Sequence, residues 1–282
     1  MFERVITTVR WTAMITLLIV VVTGVLLSMY YVPSTAGEPL SDAAASVRFI
    51  NSSVVGGPVV RAVHHHATSL LVASVLVWVG LMVWQWRDDR RSWWIALGLA
   101  VIALVGAWTG RLLPDDAYAA TSREVMRYAL REAHGGDLAA TLLGLKTLPA
   151  MALANAYAMH AIMLLIGSGV VLAKLRRDRD VGLPRIIVGA AISAGIMIML
   201  VRTMPLGVPG DGTDVAPSRP WWMFLPIHHV TEALGAELTS ILMWGLLTAL
   251  VSAPWWFHRI TDRTRMLLVA SATILVAGLL FA

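Results

Sequence analysis

Arg61 and His64 stand one helical turn apart in Gly57-Pro58-Val59-Val60-Arg61-Ala62-Val63-His64-His65-His66, and a largely apolar run from Ala67 to Trp84 follows at once. A second apolar run carries one histidine, His160, in Ala156-Tyr157-Ala158-Met159-His160. An ionisable side chain inside a membrane-length apolar segment is costly, and such residues mark functional sites by default. Two neutral imidazoles on facing helices of a bundle are the axial set of a six-coordinate haem iron. The bland alternative is a pair of buried histidines satisfied by hydrogen bonds. His65 and His66 point roughly 100° and 200° around the helix from His64, so the triplet does not converge on one ion.

The elements that must position these residues are membrane helices. The chain has 282 residues, is 58% hydrophobic and has a mean hydropathy of +0.73. Its apolar runs recur at about 20 residues, the length that crosses a hydrocarbon core of roughly 30 Å. The expected fold is all-α, a polytopic membrane helical bundle. There is no cysteine, which excludes cysteine-ligated iron–sulfur clusters, disulfides, thioether-attached haem and cysteine zinc sites. The net charge of +5 is carried almost wholly by arginines near helix ends, which reads as cytoplasmic anchoring in a lipid bilayer rather than nucleic-acid binding.

Taken in order, the apolar runs predict about seven spans: Trp11 to Tyr31, Val59 to Trp86, Trp93 to Leu113, Met151 to Leu175, Ile186 to Met204, His229 to Trp255 and Met266 to Ala282. The first run shows no convincing small-residue cleavage site and is expected to stay as a helix. Leu40 to Asn51 reads as a short surface helix. Arg123, Arg127 and Arg131 recur every four residues and predict a basic stripe on another. Arg4, Arg10, Arg87, Arg90, Arg91, Lys174, Arg176, Arg177, Arg179, Arg185, Arg259, Arg263 and Arg265 fall in short turns on one side. The positive-inside rule then puts the N-terminus in the cytoplasm and the C-terminus outside. Trp93, Trp94, Trp255 and Trp256 read as interfacial belt residues.

Several of these features, in this order and spacing, resemble the cytochrome b of quinol-oxidising bc-type complexes, above all the split form of photosynthetic membranes. They are Thr23-Gly24, Tyr30-Tyr31-Val32-Pro33, the Gly-x-x-x-Arg-x-x-His of Gly57 to His64, Thr109-Gly110-Arg111-Leu112-Leu113-Pro114-Asp115, Tyr157-x-x-His160, and Pro220-Trp221-Trp222-Met223-Phe224 where the family carries Pro-Glu-Trp-Tyr-Phe. The resemblance spans nearly the whole chain and implies a cytochrome b-like fold in a bacterial inner membrane. It implies haem b held by His64 and His160, with Gly24 and Gly110 giving the porphyrin access to the backbone and Arg61 paired with a haem propionate. Residues 1–180 would form a four-helix haem-binding bundle, and residues 181–282 a three-helix part with a degenerate quinol-pocket motif.

The departures carry as much. The family holds two haems, with ligands fourteen residues apart on two helices, about four turns and roughly 21 Å. Here the positions fourteen after His64 and His160 are Trp78 and Lys174, and those fourteen before Gly24 and Gly110 are Arg10 and Ala96. One haem near the outer face is therefore expected, and the inner site is expected to be lost. The motif's glutamate, which the family is thought to use to take a proton from quinol, is Trp221 here; His228, His229 and Glu232 are the nearest replacements.

The resulting expectation is an electron-transfer subunit of an oxidoreductase complex, passing electrons between its haem and the quinone pool or an extracytoplasmic redox partner. Other membrane and extracytoplasmic redox subunits are the implied partners. Two other readings stay open: a quinol-oxidising subunit with a remodelled outer site at His228, His229 and Glu232, and a haem-free membrane scaffold.

Overall fold

The computed structural model describes residues 2–84, 90–142, 149–177, 183–200 and 220–281. Those residues are helical almost throughout. In chain order the helices are α1 (Phe2–Ser28), α2 (Asp42–Ser52), α3 (Gly57–Trp84), α4 (Arg90–Leu112), α5 (Ala117–Glu132), α6 (Gly136–Leu142), α7 (Pro149–Arg177), α8 (Leu183–Leu200), α9 (Leu225–Trp256) and α10 (Asp262–Phe281).

Local chemistry sets several of their ends. Ser41 caps α2, its hydroxyl accepting from the Ala44 amide at 3.2 Å, and Asp116 caps α5 by accepting from the Ala119 amide at 2.8 Å. Pro149 opens α7 and Pro226 lies in the first turn of α9, where a missing N–H costs nothing. Gly57 opens α3 because nothing larger fits: a Cβ there would lie 1.9 Å from the carbonyl oxygen of Ile50. Gly235, at φ 78° and ψ 163°, breaks the helical run of α9 and divides it into two stretches.

The bundle is built from two intimate pairs, α1 with α3 and α4 with α7, joined mainly through the α3–α4 contact. Its core holds Trp11, Met14 and Leu17 of α1, Val72, Val75 and Trp78 of α3, and Trp93, Ala96 and Leu99 of α4. The helix α8 lies on α1, where the buried hydroxyls of Thr16 and Ser193 are 3.1 Å apart. The helix α10 packs on α3 and α9. Surface helices α5 and α6 are tied to α9: the His134 amide donates to Ser240 Oγ at 3.1 Å, and the Trp244 indole donates to the His134 carbonyl at 3.0 Å.

Five helical stretches are long and apolar enough to cross a membrane: Glu3–Ser28, Gly57–Trp84, Arg90–Leu112, Met151–Ala173 and Trp222–Arg259. The count of seven read from the sequence is not established, since α8 and α10 are helical but fall short of that measure over their described residues. The first helix begins at Phe2 and ends at Ser28, so Tyr30 and Tyr31 lie beyond it. Trp93 does not join the belt. It is fully buried and its indole donates to the Leu250 carbonyl at 3.1 Å, while Trp94 and Trp255 are exposed with ring centres 6.3 Å apart. The basic stripe of α5 is largely committed, Arg123 to Asp115 at 2.7 Å and Arg127 to Glu124. Arg87, Arg179, the loop of residues 205–219, and the side chains of Lys174, Arg176, Arg177 and Arg185 lie outside the described residues.

Candidate functional site

His64 rises from α3 against α1. Its Nδ1 lies 3.1 Å from the Val20 carbonyl oxygen and 3.0 Å from Thr23 Oγ1. A carbonyl oxygen only accepts, so the proton sits on Nδ1 and the lone pair is left on Nε2. The Thr23 hydroxyl in turn donates to the Ile19 carbonyl at 2.7 Å, which frees its oxygen to accept from the imidazole.

His160 repeats this arrangement from α7 against α4. Its Nδ1 is 2.9 Å from the Gly106 carbonyl oxygen and 3.2 Å from Thr109 Oγ1, whose hydroxyl donates to the Val105 carbonyl at 2.8 Å. The residue after each threonine is a glycine, and each glycine abuts its histidine. A Cβ at Gly24 would stand 3.1 Å from His64 Cε1, and one at Gly110 would stand 2.8 Å from His160 Cε1. The glycines therefore make room first for the imidazoles themselves.

The two rings have centroids 6.1 Å apart and planes at 63°. A metal–imidazole bond is roughly 2 Å long, so two such bonds plus half a ring at either end span about this separation. A second partner that fixes the tautomer and raises ligand basicity is the usual support for a metal-bound histidine, and both rings have one. Among the described residues no three His, Asp or Glu side chains gather as a bare-ion site would need. A haem supplies four ligands from its own ring and asks the protein only for the axial pair. The residues present fit that group.

Arg61, one turn before His64, donates from Nη1 to Asn51 Oδ1 at 3.1 Å. At the same end of the bundle Arg111 Nη1 is 3.6 Å from Asp116 Oδ2. Tyr31 donates its hydroxyl to the Leu113 carbonyl at 2.7 Å and lies 5.5 Å, ring to ring, from Tyr157. Burial, and then the Asp115 carboxylate, push the Tyr31 phenol above its ordinary range.

Four turns further along α3 the surroundings are different. Trp78 is 1% exposed and Ala96 0%, in one cluster with Trp11 and Trp93. Arg10, at the position fourteen before Gly24, has a buried Nε with no hydrogen-bond partner.

The Pro220 to Phe224 segment packs on α3 beside His64. Trp221 stacks on His65 at 4.4 Å with 13° between planes, and the Trp222 indole is 3.5 Å from Ser69 Oγ. His66 lies 5.4 Å from His65, ring to ring. In the next turns of α9 one carboxylate serves two imidazoles: Glu232 is 3.3 Å from His228 Nε2 and 3.4 Å from His229 Nδ1. Among the described residues no contact joins that trio to His64 or His160.

Sequence reasoning missed the roles of Thr23 and Thr109 and the pairing of Arg111 with Asp116. The signal for the first was present, since Thr-Gly occurs in each of the two helices that buttress a histidine.

The family model for cytochrome b/b6/petB matches residues 5–177. The cytochrome bc1 complex cytochrome b subunit of Mycobacterium tuberculosis is 22% identical over 295 residues, covering 87% of this chain and 50% of that subunit. The menaquinol:cytochrome c reductase cytochrome b subunit of Geobacillus thermodenitrificans is 30% identical over 108 residues, 37% of this chain and 46% of its own length. The corresponding bc1 subunit of Streptomyces coelicolor is 29% identical over 128 residues, 40% of this chain and 24% of its own. The chain thus spans no more than about half the length of these curated relatives. A solved structure described as a hyperthermophilic respiratory Complex III superposes with a TM-score of 0.73 at 17% identity, over 97% of this chain and 88% of that one, a likeness of fold. With a family model over more than half of its length and the fold to match, this membrane-helical chain belongs to the cytochrome b family.

Proposed function

We propose that the chain is the cytochrome b subunit of a bc-type quinol:cytochrome c reductase assembly and carries a single haem b between His64 and His160, near the outer face. The observation that carries this reading is the doubled bracket. Two imidazoles from different helix pairs are each fixed by a carbonyl and a threonine so that Nε2 keeps its lone pair. A haem bound there would take up and release one electron. The chain's own residues hold the two rings at a fixed separation, and Arg61 supplies positive charge at the outer rim.

One haem rather than two is supported by the inner half of the bundle. The position where a second ligand would stand on α3 is a buried indole, and the opposite helix offers Ala96 where a glycine would be needed. Residues 1–180 would house the haem and residues 181–282 would form the remodelled outer pocket. The N-terminus would be cytoplasmic and the C-terminus outside. Redox partners would be further membrane and extracytoplasmic subunits, as the names of the bc1 and menaquinol reductase relatives suggest.

The test is haem b per polypeptide in purified protein, in wild type and in His64→Ala and His160→Ala. One haem, lost in both variants, is the expected result. Two haems would overturn the single-site reading, and none would leave a membrane scaffold.

A second reading is favoured by one observation: the Glu232 carboxylate lies between His228 and His229. Such a group can accept a proton from a quinol where Trp221 replaces the family's glutamate. Glu232→Gln should then slow quinol-driven haem reduction by about 10²–10⁴-fold at unchanged haem content. An unchanged rate would remove this reading.

A further inference from the structure

A groove opens on the bundle surface at the start of α4, away from the histidine pair. Arg91, Ile95 and Gly98 recur at helical spacing along one face of that helix, with Trp94 beside them. Together with Leu99, and Val170 of α7, they line an open space of about 480 Å³. The seam between α4 and α7 is tight further along, where a Cβ at Gly167 would stand 3.3 Å from Ile102. It parts at Gly98, where a Cβ would meet no described atom within 4 Å. Leu99, 3% exposed, closes the floor. Gly106, which buttresses His160, comes fifteen residues after Arg91, about 22 Å along the helix.

The lining is aliphatic apart from one indole and one guanidinium, and among the described residues in it none is acidic. Its volume is that of a small-molecule site, roughly 300–1,000 Å³. The exposed Trp94 indole lies 6.3 Å, ring to ring, from the exposed Trp255 of α9. Indoles exposed at the ends of spanning helices mark the headgroup level of a bilayer. Arg91 stands in the first turn of α4, where the helix dipole is also positive. A planar guanidinium fork binds phosphate through paired, charge-assisted bonds. A membrane helix of another subunit seated here would desolvate Arg91 unless it carried an acid to that point. A phospholipid brings its own anion at that depth.

We propose that this groove is a binding site for one anionic phospholipid. An acyl chain lies over Gly98 between α4 and α7, and Arg91 holds the phosphate at the level of the Trp94 and Trp255 indoles. The lipid then fills the gap in the helix pair that carries His160. Charge and shape are supplied by different residues, so they can be removed one at a time.

The experiment titrates the purified full chain in detergent with dioleoylphosphatidylglycerol and, separately, with dioleoylphosphatidylcholine, counting bound lipid by native mass spectrometry. Wild type is compared with Arg91→Gln, Gly98→Leu and Arg90→Gln. Arg90 points about 100° around the helix from Arg91 and does not line the groove. Leucine is a better helix former than glycine and has open space at this position, so Gly98→Leu should fold. The expected result is one phosphatidylglycerol bound to wild type in preference to phosphatidylcholine. Arg91→Gln should weaken phosphatidylglycerol by at least about fivefold, the attraction of one basic side chain to anionic lipid, and leave phosphatidylcholine unchanged. Gly98→Leu should lose the bound lipid, and Arg90→Gln should keep the wild-type preference. Equal affinity for the two lipids in wild type overturns the proposal. So does wild-type phosphatidylglycerol affinity in Arg91→Gln or Gly98→Leu, or a loss in Arg90→Gln as large as that in Arg91→Gln. The readout involves no haem, so the result stands whether or not His64 and His160 bind one.

Discussion

His64 and His160 lie with ring centroids 6.1 Å apart, and each donates from Nδ1 to a carbonyl and a threonine on a different neighbouring helix. The acceptors occupy matching places: Val20 and Thr23 on α1, Gly106 and Thr109 on α4, with the threonine three residues after the residue that supplies the carbonyl acceptor in both. The two helix pairs thus present one device twice, which makes the two imidazoles chemically alike.

That likeness gives a paired expectation for Thr23→Val and Thr109→Val. Each removes one of two acceptors from an imidazole N–H, making the ligand less basic and favouring ferrous iron. A net hydrogen bond is worth about 0.5–1.5 kcal/mol, so each variant should raise the haem midpoint by no more than about 59 mV, a tenfold change in a one-electron equilibrium. The shifts should be of similar size, as redox titration of the two variants would show. A large shift in only one would mean that the brackets are not equivalent.

Gly110→Ala should harm the site more than Gly24→Ala. The added methyl would meet His160 at 2.8 Å but His64 at 3.1 Å, and both rings are pinned by two acceptors and cannot swing aside. Overpacking of this kind costs about 1–3 kcal/mol. Haem retained per polypeptide after purification is the readout, and equal retention in the two variants would contradict the geometry.

Trp78 is packed in the core of the bundle, fourteen residues from His64, at 1% exposure. Trp78→Ala should destabilise the protein by about 3–5 kcal/mol through the cavity it leaves. Haem stoichiometry should not change. Thermal unfolding in detergent, with a haem count on the surviving protein, separates a packing role from a ligand role.

Tyr31 makes alkaline stability a local matter. Its folded pKa is raised by burial and by Asp115, so stability from this group is fully present below about pH 10, the unfolded value. It falls as pH rises beyond that, because the unfolded chain releases the proton first. Tyr31→Phe should flatten this decline while costing about 0.5–1.5 kcal/mol at neutral pH for the lost bond to Leu113. Melting curves between neutral and alkaline pH would show both effects.

The sequence alone determined the class of the molecule. Apolar runs of membrane length, basic turns and missing cysteine depend only on composition and one-dimensional spacing, and they led to an all-helical membrane protein. The motifs around Gly24, His64, Gly110 and His160 led to the cytochrome b family for the same reason, since helical spacing is legible along a single segment. The absence of a histidine at Trp78 and Lys174 is likewise a fact of spacing.

Tertiary structure decided what lies across from each of these residues. Hydropathy marked the tryptophans near helix ends as belt residues, yet Trp93 is buried because α9 offers the Leu250 carbonyl to its indole. An arginine repeat suggested an open basic stripe, but Asp115, before the N-terminus of α5, folds back onto Arg123. Neither Trp221 on His65 nor Asp116 beside Arg111 has a signature in local sequence. Thr23 and Thr109 acquire their roles only when α3 and α7 bring an imidazole against them. Period and composition describe one helix at a time, whereas a hydrogen bond between helices depends on how two of them are rotated and set in depth, and packing fixes that.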